Sequence, residues 1–171
     1  MTTTTPAKRP VVGVLIALAG LFAALAIVLP YVAPFLGGVW LVVSADAALT
    51  LAFLFLFIGR TSTILLRAFF AVATIGWAIL TVGRLIDLGT LLTVGILLAI
   101  AGSLISGLLA FGRRIFTRAA NIFFVLAMLV MTVVLLDKLI GPFILGTLAV
   151  VVSAIYALIL LIAGITIAIR K

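Results

Sequence analysis

Residues 11–59 read VVGVLIALAGLFAALAIVLPYVAPFLGGVWLVVSADAALTLAFLFLFIG, and Asp46 is the only charged side chain among these 49. A bilayer core about 30 Å thick takes about 20 apolar residues per helix, so the stretch holds two spans. The break between them falls at Pro30-Tyr31-Val32-Ala33-Pro34-Phe35-Leu36-Gly37-Gly38. Two prolines and a glycine pair do not continue a helix cheaply.

The same reading extends outward. Further charge-free runs are Ala68–Gly83, Leu88–Gly112, Ala119–Leu136 and Leu139–Ile169, the last with a Gly141-Pro142 turn near its start. The spans fall at roughly 11–29, 39–59, 64–83, 90–111, 119–136 and 144–169. The expected fold is an all-α membrane protein. Six transmembrane helices form three tandem hairpins (roughly 11–59, 64–111 and 119–169), after a polar tail at 1–10. The third span is short, and Arg67 and Arg84 at its ends are expected to snorkel, one toward each interface.

Composition excludes most other classes. Of 171 residues, 68% are hydrophobic and 8% charged, where a soluble domain has about 25% charged. Cysteine and histidine are absent, which removes disulfides, thiol chemistry, Cys/His metal sites and His-based catalysis. No segment between spans exceeds about ten residues, no phosphate-cradling glycine loop occurs and no carboxylates pair on a helix face. No enzyme and no cofactor is expected, and the bilayer is the expected partner, with a homo-oligomer or another membrane protein beside it.

The net charge of +8 is distributed as an orientation signal rather than a nucleic-acid footprint. With six spans, Lys8, Arg9, Arg60, Arg67, Arg113, Arg114, Arg118, Arg170 and Lys171 share one side. The other side has Arg84 and Lys138 beside Asp87 and Asp137. The positive-inside rule therefore puts both termini in the cytoplasm. The small-residue box Ala17-Leu18-Ala19 lies mid-run, where no signal peptidase site belongs, so the first helix is expected to remain uncleaved. Eight Arg against three Lys, with much Ala, Gly, Val and Leu, suits a GC-rich bacterial source and hence a cytoplasmic membrane.

Sliding the chain on itself by 109 places Val42-Val43-Ser44-Ala45 on Val151-Val152-Ser153-Ala154, Ala48-Leu49 on Ala157-Leu158 and Leu51 on Leu160. Half that offset is one hairpin, which suggests a threefold repeat. Small residues recur every fourth position on the even spans: Ser44, Ala48 and Ala52; Gly95, Ala99, Ser103 and Gly107; Ala149, Ser153 and Ala157. On the fourth span, Gly102, Ser106 and Ala110 form a neighbouring row. Such rows let helix backbones approach closely in lipid. The odd spans are bulkier, with Phe69-Phe70, Trp77 and Phe123-Phe124. The expectation is an inner set of even helices and a lipid-exposed odd set.

Asp46 carries the most chemical information. It lies about seven residues, roughly 10 Å, into the second span, and an ionisable group at depth is a functional candidate. It is a proton-binding carboxylate, or pairs with Arg84 or Lys138, or caps a helix that starts late near Ser44. Arg84, Asp87, Asp137 and Lys138 read as the charges of solvated helix ends. Asn121 is expected to make a helix–helix hydrogen bond, the Arg113–Arg118 loop to face anionic headgroups, and Tyr31, Phe35 and Trp40 to sit in an aromatic belt.

Six spans, a hairpin repeat near 55 residues, Pro30 and Pro142 at two outer turns, and the run Val12-Gly13-Val14-Leu15-Ile16-Ala17-Leu18-Ala19-Gly20 together give a layout that resembles HdeD-like proteins. These are small bacterial inner-membrane proteins of tandem hairpins associated with acid resistance. The resemblance implies a stress-linked membrane protein of undefined molecular activity, in which the Asp residues are the only side chains able to sense acid directly. Helix number, size and the Ala19/Ala23 spacing also look like the substrate-binding membrane subunit of an energy-coupling-type transporter, in which such a face docks a partner. An accessory subunit of a larger membrane complex is a third reading, which would use the small-residue rows as its contacts.

Overall fold

The computed structural model describes residues 9–33, 38–59, 63–113, 115–141 and 146–169. Six helices account for nearly all of them: α1 (Arg9–Val32), α2 (Val39–Ile58), α3 (Ile64–Leu85), α4 (Gly89–Arg113), α5 (Arg118–Ile140) and α6 (Gly146–Ile169). Each contains a stretch long and apolar enough to cross a membrane, and no strand occurs among the described residues.

The helix ends differ from the expected spans in ways that matter below. Pro30 does not end α1. The helix runs one more half-turn, and the Ala33 amide donates to the Leu29 carbonyl at 2.7 Å. α1 ends at Val32, and α2 starts after Gly38, whose φ of 122° is open to glycine and strained for other residues. Pro34, Phe35, Gly37 and Pro142 lie outside the described residues, as do Lys8, Arg60, Arg114, Arg170 and Lys171. α3 continues through Arg84, and α5 continues through Asp137 and Lys138, so these three charges lie on helices rather than beyond them.

Each helix packs on its two sequence neighbours, and α6 closes on α1, so the six form a ring. The tightest pairs are α3 with α4 and α1 with α6. Glycine makes both possible. A Cβ on Gly102 would lie 2.2 Å from the Ala73 amide, and one on Gly76 would lie 2.3 Å from that of Ala99. Across α1 and α6, Gly13 faces the Ala168 backbone, Gly164 faces Ala17 and Gly20 faces Leu161. Close backbone approach of this kind holds helices together where lipid supplies no hydrophobic drive.

The ring overturns the expected division into inner even and outer odd helices. Gly95, Ala99, Ser103 and Gly107 are buried, but α3 and α1 contribute as many contact glycines as α4 and α6. Ala48, Ala52 and Ala157 are buried, whereas Ser44, Ala149 and Ser153 are only half-buried. The odd-helix aromatics Phe70, Trp77 and Phe124 point inward, each no more than 2% exposed. The sequence match between α2 and α6 also does not repeat as an environment. Leu49 is buried and its counterpart Leu158 is exposed, while Leu51 is exposed and Leu160 buried.

The ring's centre is filled in one half. Phe53 of α2 stacks near Phe70 of α3 and Phe124 of α5, at centroid distances of 6.2 and 6.3 Å, and Phe116 meets Phe124 edge-on at 5.6 Å. These rings, with Met128 and Leu66, bridge opposite sides of the ring. Asn121 belongs to this end. Its side chain accepts from the Phe116 amide and donates to the Phe116 carbonyl, both at 3.2 Å, so it clasps its own loop rather than a neighbouring helix. Thr117 caps α5 by accepting from the Ala120 amide.

Candidate functional site

The other half of the ring, where odd helices end and even ones begin, is hollow. A cavity of about 250 Å³ lies there. α2 lines it with Val42, Ala45, Asp46 and Leu49, the i, i+3, i+4, i+7 stripe of one helix face. α1 supplies Ala19, Ala23, Ala26 and Ile27; α3 supplies Trp77 and Arg84, two turns apart. α5 adds Met131, Val134, Leu135 and Lys138, and α6 adds Ser153 and Tyr156. Alanines at four of these positions leave the space that larger side chains fill in the aromatic half.

Asp46 and Arg84 meet across α2 and α3, with Arg84 Nη1 3.1 Å from Asp46 Oδ2. Their side chains are 6% and 15% exposed. The contact is a buried ion pair at hydrogen-bond distance. α2 starts at Val39, so Asp46 sits two turns inside a helix and is not its cap. Arg84 turns inward to this carboxylate and does not snorkel. Its counterpart Arg67 does stay at the surface, donating from Nε to the Phe57 carbonyl at 3.3 Å and lying over the Phe57 ring.

Lys138 borders the same cavity with an exposed side chain and makes no ion pair among the described residues. Asp137 does not join the cavity; it faces a second cleft of about 350 Å³ between α1, α5 and α6. That cleft shares Ala26, Ile27, Val134, Lys138 and Ser153 with the cavity, so the two spaces adjoin. It forms where the glycine contacts of α1 and α6, between Gly13 and Gly20, have ended. Asp87 stands apart in the α3–α4 turn, exposed, with a φ of 51°. Tyr31 and Trp40 are exposed at this end, while Phe35 lies outside the described residues.

The cavity floor is held by a cross-helix hydrogen bond. Trp77 Nε1 donates to Ser103 Oγ at 3.0 Å, and Ser106 Oγ donates to the Ser103 carbonyl. Ser103, one of the small residues of α4, thus accepts a specific bond as well as allowing close packing. Trp77 and Tyr156 are cavity residues that sequence reasoning did not assign to a site, and Ser153, expected as a helix-packing residue, lines the cavity with them. The signal available was the seven-residue spacing of Trp77 and Arg84, and a single tyrosine within a long uncharged run.

The arrangement offers a charged corner on apolar walls. It can bind an anion through Arg84 and Lys138 or exchange a proton at Asp46. Among the described residues no three metal-ligating side chains gather in one place. Ala19, which would face a partner in a transporter subunit, is fully buried and looks into the cavity. No family model matches the chain, and no curated protein or solved structure matches it significantly.

Proposed function

We propose that the chain is a non-enzymatic multi-pass protein of a bacterial cytoplasmic membrane, related to HdeD-like proteins, and that it serves acid tolerance through the Asp46–Arg84 pair. The observation that carries this reading is the pair itself: a single carboxylate held against a single guanidinium inside the bundle, at a cavity. Protonation of Asp46 cancels one of the two charges and leaves Arg84 uncompensated, which biases the packing of α2 against α3. The charge distribution supports an orientation in which this half faces away from the cytoplasm. Arg67, Arg113 and Arg118 lie at the opposite end, with no acid among them.

The test is survival of an acid challenge by cells that depend on the protein. Asp46→Asn, which mimics the protonated form, should alter survival while the protein still accumulates in the membrane. Wild-type survival in that variant overturns the reading. A substrate-binding transporter subunit is the second reading, favoured by the cavity, although Ala19 is turned away from any partner. The accessory-subunit reading loses its main support, since Gly95, Ala99 and Gly102 are already used inside the bundle.

A further inference from the structure

We propose that the cavity and its adjoining cleft bind a single-chain anionic amphiphile, a fatty-acid-like carboxylate, with its headgroup between Arg84 and Lys138 and its chain leaving between α1, α5 and α6. This does not rest on the acid-tolerance reading.

Charge is the first ground. Two cations and one carboxylate border the cavity, while Asp137 lines only the outer cleft. Within the cavity, where the headgroup would sit, the balance is one positive charge in excess. A guanidinium has five donors, and the Asp46 contact occupies Arg84 at Nη1 alone. Arg84 is matched by Asp46, but Lys138 makes no ion pair among the described residues, and a carboxylate arriving between the two supplies Lys138 with a counter-charge and Arg84 with a further acceptor.

Shape and wall chemistry select the rest of the ligand. Away from the charged corner, the cleft is lined by Ala26, Ile27, Val134 and Val152, which suit a hydrocarbon chain. The two spaces, about 250 and 350 Å³, lie near the lower end of small-ligand pockets, about 300–1,000 Å³, and fit one chain rather than two. The cleft reaches the surface of the bundle beside Pro30 and Val150, both exposed, so a lipid-dissolved molecule enters sideways with its charged end toward the helix ends.

The experiment uses the full chain in zwitterionic phospholipid vesicles with a diazirine-bearing fatty acid as probe. Labelling should map to the peptides around Ala26–Ile27 and Val134, and laurate should displace it. Dodecanol and inorganic phosphate should not, because each has only half of the required chemistry. Lys138→Gln, at an exposed position that leaves the fold intact, should weaken laurate competition by about fivefold, and Asp46→Asn should strengthen it. Equal competition by dodecanol, by phosphate or by a two-chain anionic phospholipid overturns the proposal. So does labelling spread over outward residues such as Leu126 and Leu158, or indifference to both substitutions.

Discussion

Replacing Asp46 and Arg84 singly and together tests whether the pair is an energetic unit. At 3.1 Å, two unit charges attract by about 5 kcal/mol at an effective dielectric of about 20. Desolvation of both groups, only 6% and 15% exposed, offsets part of this, leaving a net coupling of about 2 kcal/mol. Asp46→Asn leaves the guanidinium uncompensated and should cost about 3 kcal/mol. Arg84→Gln should cost about 2 kcal/mol, since a lone Asp46 can take up a proton where a lone Arg84 cannot lose one. The double variant should then cost about 3 kcal/mol, well short of the sum of the single costs. Equilibrium unfolding in mixed micelles reads these values. In a Trp40→Phe background, Trp77 on the cavity is the only tryptophan and reports its loss. Raising the salt should change little, because a pair this buried is weakly screened. Additivity of the two single costs, or loss of the coupling in moderate salt, refutes the reasoning and makes the contact a surface ion pair.

Two further outcomes follow from the packing and the charge pattern. Gly102→Ala places a Cβ 2.2 Å from the Ala73 amide, where ordinary contact begins at 3.4 Å, so α3 and α4 must part by about 1 Å. That also strains the neighbouring Trp77–Ser103 bond, and the variant should lose about 1–3 kcal/mol relative to Gly112→Ala, whose Cβ meets open space; equal stabilities on thermal unfolding would show that the close approach is not required. Since the chain has no cysteine, Thr90→Cys and Gly112→Cys give single probes at opposite ends of α4. A membrane-impermeant maleimide added to intact cells should label position 90 and spare 112, and the reverse pattern would invert the proposed orientation.

Much of the fold is legible in the residues because it depends on one-dimensional quantities. Runs of uncharged residues count the spans, since each unpaired charge or unbonded peptide group in hydrocarbon costs several kcal/mol. Glycine at position 38 ends the first connection for a local reason, its φ of 122°. Rows such as Gly95, Ala99 and Ser103 identify surfaces that need close neighbours, because small side chains recur at the helical period whatever helix faces them.

What faces what was decided only by the tertiary structure. All faces of a membrane helix are apolar, so the hydrophobic asymmetry that orients soluble helices is weak here, and Phe70, Trp77 and Phe124 could be read outward although they fill the core. The α2 and α6 segments match in sequence yet turn different sides inward, because burial depends on neighbours the match does not specify. Arg84 lies three residues from Asp87 along the chain, but its partner is Asp46, on another helix. Asp46 announced itself as a charge at depth. That Arg84, Lys138 and the alanines of α1 converge with it on one cavity is a product of ring closure, in which α6 returns to α1 and residues more than a hundred positions apart share a wall.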